Sequence, residues 1–225
     1  MRSTGGLLRT REFLMKDAYS FHTDEKDLQS YYEVMTASYH QIFKKLGLEV
    51  IQVEASSGTI GGKVSHEFMV LSPTGEDNVV VCECGFGSNE EIIMGKKKCP
   101  KCESIIKKDK AIEVGHTFQL GDKYSKKMGV EFTGKNGTKQ FIQMGCYGIG
   151  LGRLMGTVVE TLSDNKGIIW PDSIAPFQVH LIEIAGGEEK VRNEARKLYD
   201  ALVKKGVEVL YDDRTEKSAG EKLSD

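Results

Sequence analysis

Between Asp24 and Leu46 the apolar positions return every three or four residues, at Leu28, Tyr31, Tyr32, Met35, Tyr39, Ile42, Phe43 and Leu46. That spacing draws one stripe along a helix, with Thr23 or Asp24 as its cap and Gly47 as its stop. Downstream the period shortens. Residues 48–53 and 67–71 and the valine-rich run 78–82 carry strand composition, with Gly and Ser between them. Residues 139–144 form another strand-like run, which leads into closely spaced glycines. A helix is predicted at 154–162, backing the sheet, and a polar loop at 163–167. The pattern predicts an α+β unit.

At Trp170-Pro171 the grammar changes, and a boundary is predicted there. Residues 177–184 are a continuous apolar strand, 188–205 a helix with Val191, Ala195, Leu198, Leu202 and Val203 on one face, and 207–211 a second strand. Two strands joined through a helix are most simply parallel, with a right-handed crossover.

Composition adds limits. With 225 residues, 39% of them hydrophobic and 28% charged, the chain can bury the core of one large domain or two smaller ones. No apolar run approaches the roughly 20 residues of a membrane helix, and the start lacks the order of a signal peptide. A cytoplasmic protein with no membrane partner is expected. The net charge of -2 argues against general coating of nucleic acid. Any RNA contact would come from local patches such as Lys96 to Lys98, Lys107 to Lys110, Lys123 to Lys127 or Lys204 to Lys205.

Four of the five cysteines form two pairs, Cys82-x-Cys84 and Cys99-Pro-Lys-Cys102. In a reducing compartment such pairs point to metal before disulfide. Four thiolates would close a structural zinc site with no open position. Free buried thiols and a redox pair are the other readings of the same spacing.

The densest chemical signal is MGCYGIGLGRLMG, residues 144–156. It is not a dinucleotide fingerprint, because Met155 stands where the third glycine belongs, and no Lys-Ser/Thr pair completes a phosphate loop. The pattern Gly148-x-Gly150-x-Gly152-Arg153 at a strand-to-helix junction resembles motif 3 of the class II aminoacyl-tRNA synthetases. Near the start, Arg9-x-x-x-Phe13 resembles the second half of that family's motif 2. The blocks REFLMKDAYSFH, TIGGKVSHEF, EVGHTFQLGDKYS, MGCYGIG and GIIWPDSIAPFQV stand in the order found in bacterial-type prolyl-tRNA synthetases.

The resemblance implies a fold and a set of roles. The fold is an α+β class II synthetase antiparallel-sheet catalytic core over residues 1–170, with a small Cys-rich insert at 82–112. A partial α/β anticodon-binding domain follows at 171–225. Arg9 and Arg153 would meet the phosphates of ATP, brought with Mg2+, while Phe13 and Arg153 cover the two faces of adenine. Gly148, Gly150 and Gly152 would let the backbone approach the nucleotide, and Gln119 would hold an adenylate oxygen. Asp17, Tyr19, His116, Phe118 and Cys146 would surround proline. A satisfied core histidine is the other reading of His116, and His22, His40, His66 and His180 lack metal spacing.

Proline, tRNA(Pro) and a second copy of the complete protein are the implied partners. The turn Asp212-Asp213-Arg214, with Glu216, Gly220 and Lys222, is a candidate RNA contact. Only about thirty residues join the Cys82 and Glu113 blocks, too few for a domain with its own core. The large editing domain that many bacterial relatives carry there is therefore not expected, and discrimination against alanine would rest on the synthetic pocket alone or on a separate protein acting in trans. Motif 1, the first strand of motif 2 and the T-x-E loop are not found, and the chain stops before the anticodon domain would close. The stretch by itself is expected not to aminoacylate. A synthetase-like paralogue kept for binding or regulation is the alternative.

Overall fold

The computed structural model describes residues 3–93, 95–184 and 188–224. A 3-10 turn at Gly6–Leu8 precedes β1 (Met15–His22), α1 (Glu25–Lys45), β2 (Ile51–Glu54), β3 (Val64–Leu71) and β4 (Asp77–Val81). Then come β5 (Gly87–Asn89), the single turn α2 (Glu90–Ile93), the long β6 (Lys107–Gly121) and α3 (Lys123–Met128). The hairpin of β7 (Glu131–Thr133) and β8 (Lys139–Phe141) leads to β9 (Gln143–Gly150) and α4 (Leu151–Thr161). Beyond these lie β10 (Val179–Ile182), α5 (Glu189–Lys204), β11 (Val209–Asp212) and α6 (Ala219–Ser224). The chain divides into two compact units, Met1–Ile169 and Trp170–Asp225.

The first unit is built on a seven-stranded sheet in the order β1, β9, β6, β3, β2, β5, β4, with β4 also pairing to β6. Every pairing is antiparallel except a single parallel contact between β2 and β5, at Glu54 and Ser88. The helix α1 covers one face. It starts where the Asp24 carboxylate accepts the Asp27 N–H at 2.8 Å, carries Glu25 and Asp27 in its first turn and Lys44 and Lys45 in its last, and so suits its own dipole at both ends.

Its buried stripe is Leu28, Tyr32, Tyr39 and Phe43. Tyr39 and Phe43 pack against Phe68 of β3, with ring centroids 5.2 and 5.5 Å away. Burying each such ring contributes about 1.5–3 kcal/mol. Gly115 of β6 leaves the room they occupy, since a Cβ there would lie 2.9 Å from the Phe43 ring. The tyrosine hydroxyls find partners inside: Tyr32 with Thr117 at 2.7 Å and His66 at 2.8 Å, and Tyr39 accepting from the Lys16 ammonium at 2.9 Å.

The glycine run differs from its sequence reading. Gly145, Gly148 and Gly150 do not follow the strand; they lie within β9, paired on one side to β1 and, at Gly145 and Gly148, on the other to β6. The reason is close approach. A Cβ at Gly145 would lie 2.2 Å from the Tyr147 hydroxyl, and one at Gly148 would lie 3.0 Å from Met15. The junction to helix falls at Gly150, so α4 begins three residues earlier than predicted and Arg153 sits in its first turn. The segment read as a Cys-rich insert ends inside β6, whose first residue is Lys107.

In the second unit β10 and β11 pair in parallel through α5, as the pattern predicts. Tyr199 of α5 stacks on Tyr211 of β11 at 5.3 Å. Lys222 is buried and donates to the backbone oxygens of Glu183 at 2.7 Å and Asp212 at 3.3 Å. The Arg214 guanidinium grips both carboxylate oxygens of Asp212, at 2.9 and 2.8 Å. Of the residues read as a candidate RNA contact, Asp212 and Lys222 are thus spent inside the fold. Among the described residues no helix is long and apolar enough to cross a membrane.

Candidate active site and cysteine ribbon

Because side chains alternate along a strand, the residues that point away from α1 share the other face of the sheet. There they line a cavity of about 480 Å³, within the range of small-molecule sites. β1 contributes Asp17 and Tyr19, β6 contributes Glu113, His116 and Phe118, and β9 contributes Cys146, Gly148 and Gly150. The segment before β1 brings Arg9 and Phe13 to the same cavity, and α4 brings Arg153. Phe13 is 58% exposed, a large apolar ring left without the burial usual for its type.

Both arginines are held in place by carboxylates. Arg153 donates to the Glu113 carboxylate at 2.7 Å and to the Leu8 carbonyl at 3.0 Å. Arg9 pairs with Glu76, whose other oxygen accepts from the Thr4 hydroxyl at 2.8 Å. The Glu113 carboxylate also takes the His116 Nδ1 at 2.9 Å, and His116 Nε2 meets the Ser65 hydroxyl at 2.6 Å. Burial opposes ionisation of Glu113, but His116 and Arg153 outweigh it and hold its pKa below the ordinary value. His116 stacks on Phe118, with centroids 3.9 Å apart, so both ring nitrogens and one face of the imidazole are held.

Ten of the residues singled out for nucleotide or amino acid line this one cavity: Arg9, Phe13, Asp17, Tyr19, His116, Phe118, Cys146, Gly148, Gly150 and Arg153. Gln119 and Gly152 do not. Gln119 is one step along β6 from Phe118 and therefore points to the α1 face, where its amide donates to Gln29 at 2.7 Å. Gly152 lies inside the first turn of α4, behind the lining.

Glu113 carried no sequence-based role, and the reason is a β-bulge. Strict alternation would put Glu113 and His116 on opposite faces, three residues apart. The register of β3 on β6 slips between Phe68 and Met69, so Val114 is the extra residue and the two side chains emerge together. Glu67, opposite His116 on β3, joins them. The ligand atoms of Glu67, Glu113 and His116 lie within 4.8 Å of one another, an arrangement able to hold a cation. Burial first, and then the Glu113 charge, raise the Glu67 pKa.

At the far end of β6 the four paired cysteines converge. The Sγ atoms of Cys82 and Cys102 are 3.4 Å apart, those of Cys84 and Cys99 are 3.6 Å apart, and all four lie within 4.8 Å. A disulfide would need about 2.05 Å. A tetrahedral zinc with bonds of about 2.3 Å places its sulfurs about 3.8 Å apart, which these distances approximate. Two tight turns deliver them. Gly85, with φ of 82°, closes one by donating to the Cys82 carbonyl at 2.9 Å. In the other the Lys101 N–H donates to the Cys99 sulfur at 3.4 Å. Cys99 packs beneath with Val80, Phe86, Ile93 and Ile106.

Residues 1–162 match the tRNA synthetase class II core domain (G, H, P, S and T), and residues 178–225 match the anticodon binding domain. The chain belongs to the class II tRNA synthetases. It is 44% identical over 240 residues to a protein of Ehrlichia ruminantium (strain Gardel) named "Proline--tRNA ligase", with 100% of this chain and 55% of that protein aligned. It is 41% identical to the human protein named "Probable proline--tRNA ligase, mitochondrial", covering 98% of this chain and 48% of that one. The chain thus spans about half the length of the curated relatives it matches. Its fold is similar to that of the prolyl-tRNA synthetase of Cryptosporidium parvum, solved with L-proline and AMP. The TM-score is 0.74 at 24% identity, over 97% of this chain and 39% of that one.

One feature of the synthetase cavity is open to titration. Cys146, half-buried opposite Tyr19 on β1, has its thiol pushed upward first by burial and then by the Asp17 charge. Alkylation of Cys146 by iodoacetamide, followed by peptide mass mapping across pH, should therefore show a midpoint above the 8.5 or so of a free cysteine. A midpoint at pH 8 or below would mean that the thiol is not held neutral.

Proposed function

We propose that the complete protein to which this chain belongs is a proline--tRNA ligase, which joins proline to the 3′ end of tRNA(Pro) at the expense of ATP. The observation that carries the reading is the gathering of Arg9, Phe13 and Arg153 in one cavity with Asp17, Tyr19, His116, Phe118 and Cys146. The names of the relatives supply the amino acid.

In this reading the chemistry needs no side-chain nucleophile. A carboxylate oxygen of proline attacks the α-phosphorus of ATP in line, and the bond to pyrophosphate breaks. The terminal ribose hydroxyl of the tRNA then attacks the prolyl carbonyl, and AMP leaves. Arg9 and Arg153 offset the charge that develops on phosphate, while Phe13 stacks on adenine, so the protein acts by positioning and electrostatics. Asp17 suits the imino nitrogen of proline. The neutral Cys146 thiol and the Phe118 edge suit its ring.

Magnesium fits the carboxylates of Glu67 and Glu113, because a small hard cation takes oxygen ligands and completes its shell with substrate phosphate and water. It would supply charge neutralisation for the phosphates. The His116 imidazole is a poor ligand for such an ion and a good orienter of Glu113. Zinc fits Cys82, Cys84, Cys99 and Cys102, which would make a closed, structural site. A cavity built for an apolar ring rejects a smaller side chain by only about 1–3 kcal/mol. Removal of mischarged alanine by a separate protein is consistent with that.

Proline-dependent exchange of pyrophosphate into ATP, measured on the full-length protein with alanine and threonine as controls, tests the activity. Exchange should be fastest with proline and fall by about a hundredfold or more in Arg153→Ala, the scale of a lost charge-stabilising donor. Absence of exchange with any amino acid in a folded sample would leave a protein that binds without catalysing. Metal analysis tests the ribbon: one zinc per chain is expected, lost together with several degrees of Tm in Cys99→Ser/Cys102→Ser. Full-length protein free of zinc, with four freely titrating thiols, would exclude it.

A further inference from the structure

The cysteine ribbon carries its charge unevenly. From Lys96 to Lys110 the chain holds seven lysines against Glu103 and Asp109, a net charge of +5 in a chain whose overall charge is -2. Over the whole stretch 82–112, with Glu83, Glu90 and Glu91 counted, the seven lysines face five acids, and a zinc tetrathiolate would cancel the remaining +2, so the excess of positive charge is local to the tip at Lys96 to Lys98. All seven lysines are exposed. Lys107 and Lys108 are engaged by Glu83 and Glu90, and the Lys101 ammonium lies over the Phe86 ring. The ammonium groups of Lys96, Lys97 and Lys98 have no partner among the described residues, and Ile105, across the hairpin from Lys98, is 80% exposed.

The ribbon is rigidly related to the cavity. Lys107 and Glu113 belong to one strand, so the base of the ribbon stands about 20 Å from the arginine site along β6. An RNA stem with its 3′ end in the cavity and its axis along β6 would pass within reach of such an arm. Clustered lysines without matching acids are the usual footprint of contact with phosphates, which position an RNA without reading its bases.

We propose that the ribbon is an RNA-contact arm: Lys96, Lys97 and Lys98 bind the phosphate backbone of the acceptor stem of the tRNA, and the cysteine cluster holds the hairpin that presents them. The proposal rests on the ligase reading above. In full-length protein carrying Lys96→Ala/Lys97→Ala/Lys98→Ala, the Kd for tRNA should rise about tenfold at moderate salt. The slope of log affinity against log salt should become shallower by about two to three. A minihelix made of the acceptor stem alone, without an anticodon, should show the same loss. Zinc content and proline-dependent exchange, which needs no tRNA, should be unchanged. Normal exchange with unaltered tRNA affinity and salt slope would overturn the arm, as would a loss seen with whole tRNA but absent with the minihelix. Absence of exchange in the unsubstituted protein would instead overturn the ligase reading.

Discussion

The site depends on one partly buried carboxylate. Glu113 is the point at which β6, α4 and the segment before β1 are tied together: it accepts from Arg153, whose Nε reaches back to the Leu8 carbonyl, and from His116, which Ser65 holds from the other side. A guanidinium on a long side chain would otherwise sample many rotamers. Fixing it before a ligand arrives lowers the entropy lost on binding. The same pairing makes the cavity's charge balance stricter. In the proposed reaction an incoming phosphate would compete with Glu113 for Arg153 and with Glu76 for Arg9. A cation at Glu113 and Glu67 would ease that competition by neutralising the carboxylates as the phosphates bind.

The layer arrangement follows from where bulk is permitted. Tyr39, Phe43 and Phe68 fill one face of the sheet over Gly115, so the residues that line the cavity are placed on the other. The glycines of β9 serve both faces. Gly145 makes room for the Tyr147 hydroxyl, and Gly148 leaves space beside Asp17 and Met15 in the cavity wall. Alternation then sorts neighbours in sequence to opposite fates, as Phe118 and Gln119 illustrate.

Much of this was legible in the sequence. The stripe of α1 with its Asp24 cap, the parallel strand pair of the second unit and the cluster of four cysteines follow from spacing alone. The gathering of Arg9, Phe13 and Arg153 around one cavity, although Arg153 is more than a hundred residues away, was legible from the resemblance of two motifs. What was not legible depended on register. Glu113 joins His116 only because Val114 bulges, and a bulge is a property of the β3–β6 pair rather than of either strand read singly. Gln119 was misplaced because a motif gives residue order, whereas the side that a residue faces depends on strand phase. The glycines of residues 144–156 read as the end of a strand because glycine weakens strands; here it permits close packing within one. Lys222 reads as a surface base, and only the fold reveals the carbonyls that bury it.

Glu113 and Arg153 act as a unit, and a double-mutant cycle tests that directly. Urea unfolding of the full-length protein would be compared for the unsubstituted chain, Glu113→Gln, Arg153→Met and the pair. Partly buried partners within 2.7 Å should show a coupling of about 1–3 kcal/mol, with the double variant less destabilised than the sum of the singles. Additivity to within about 0.3 kcal/mol would mean that the carboxylate and the guanidinium do not depend on each other. The arginine would then be positioned by something other than Glu113.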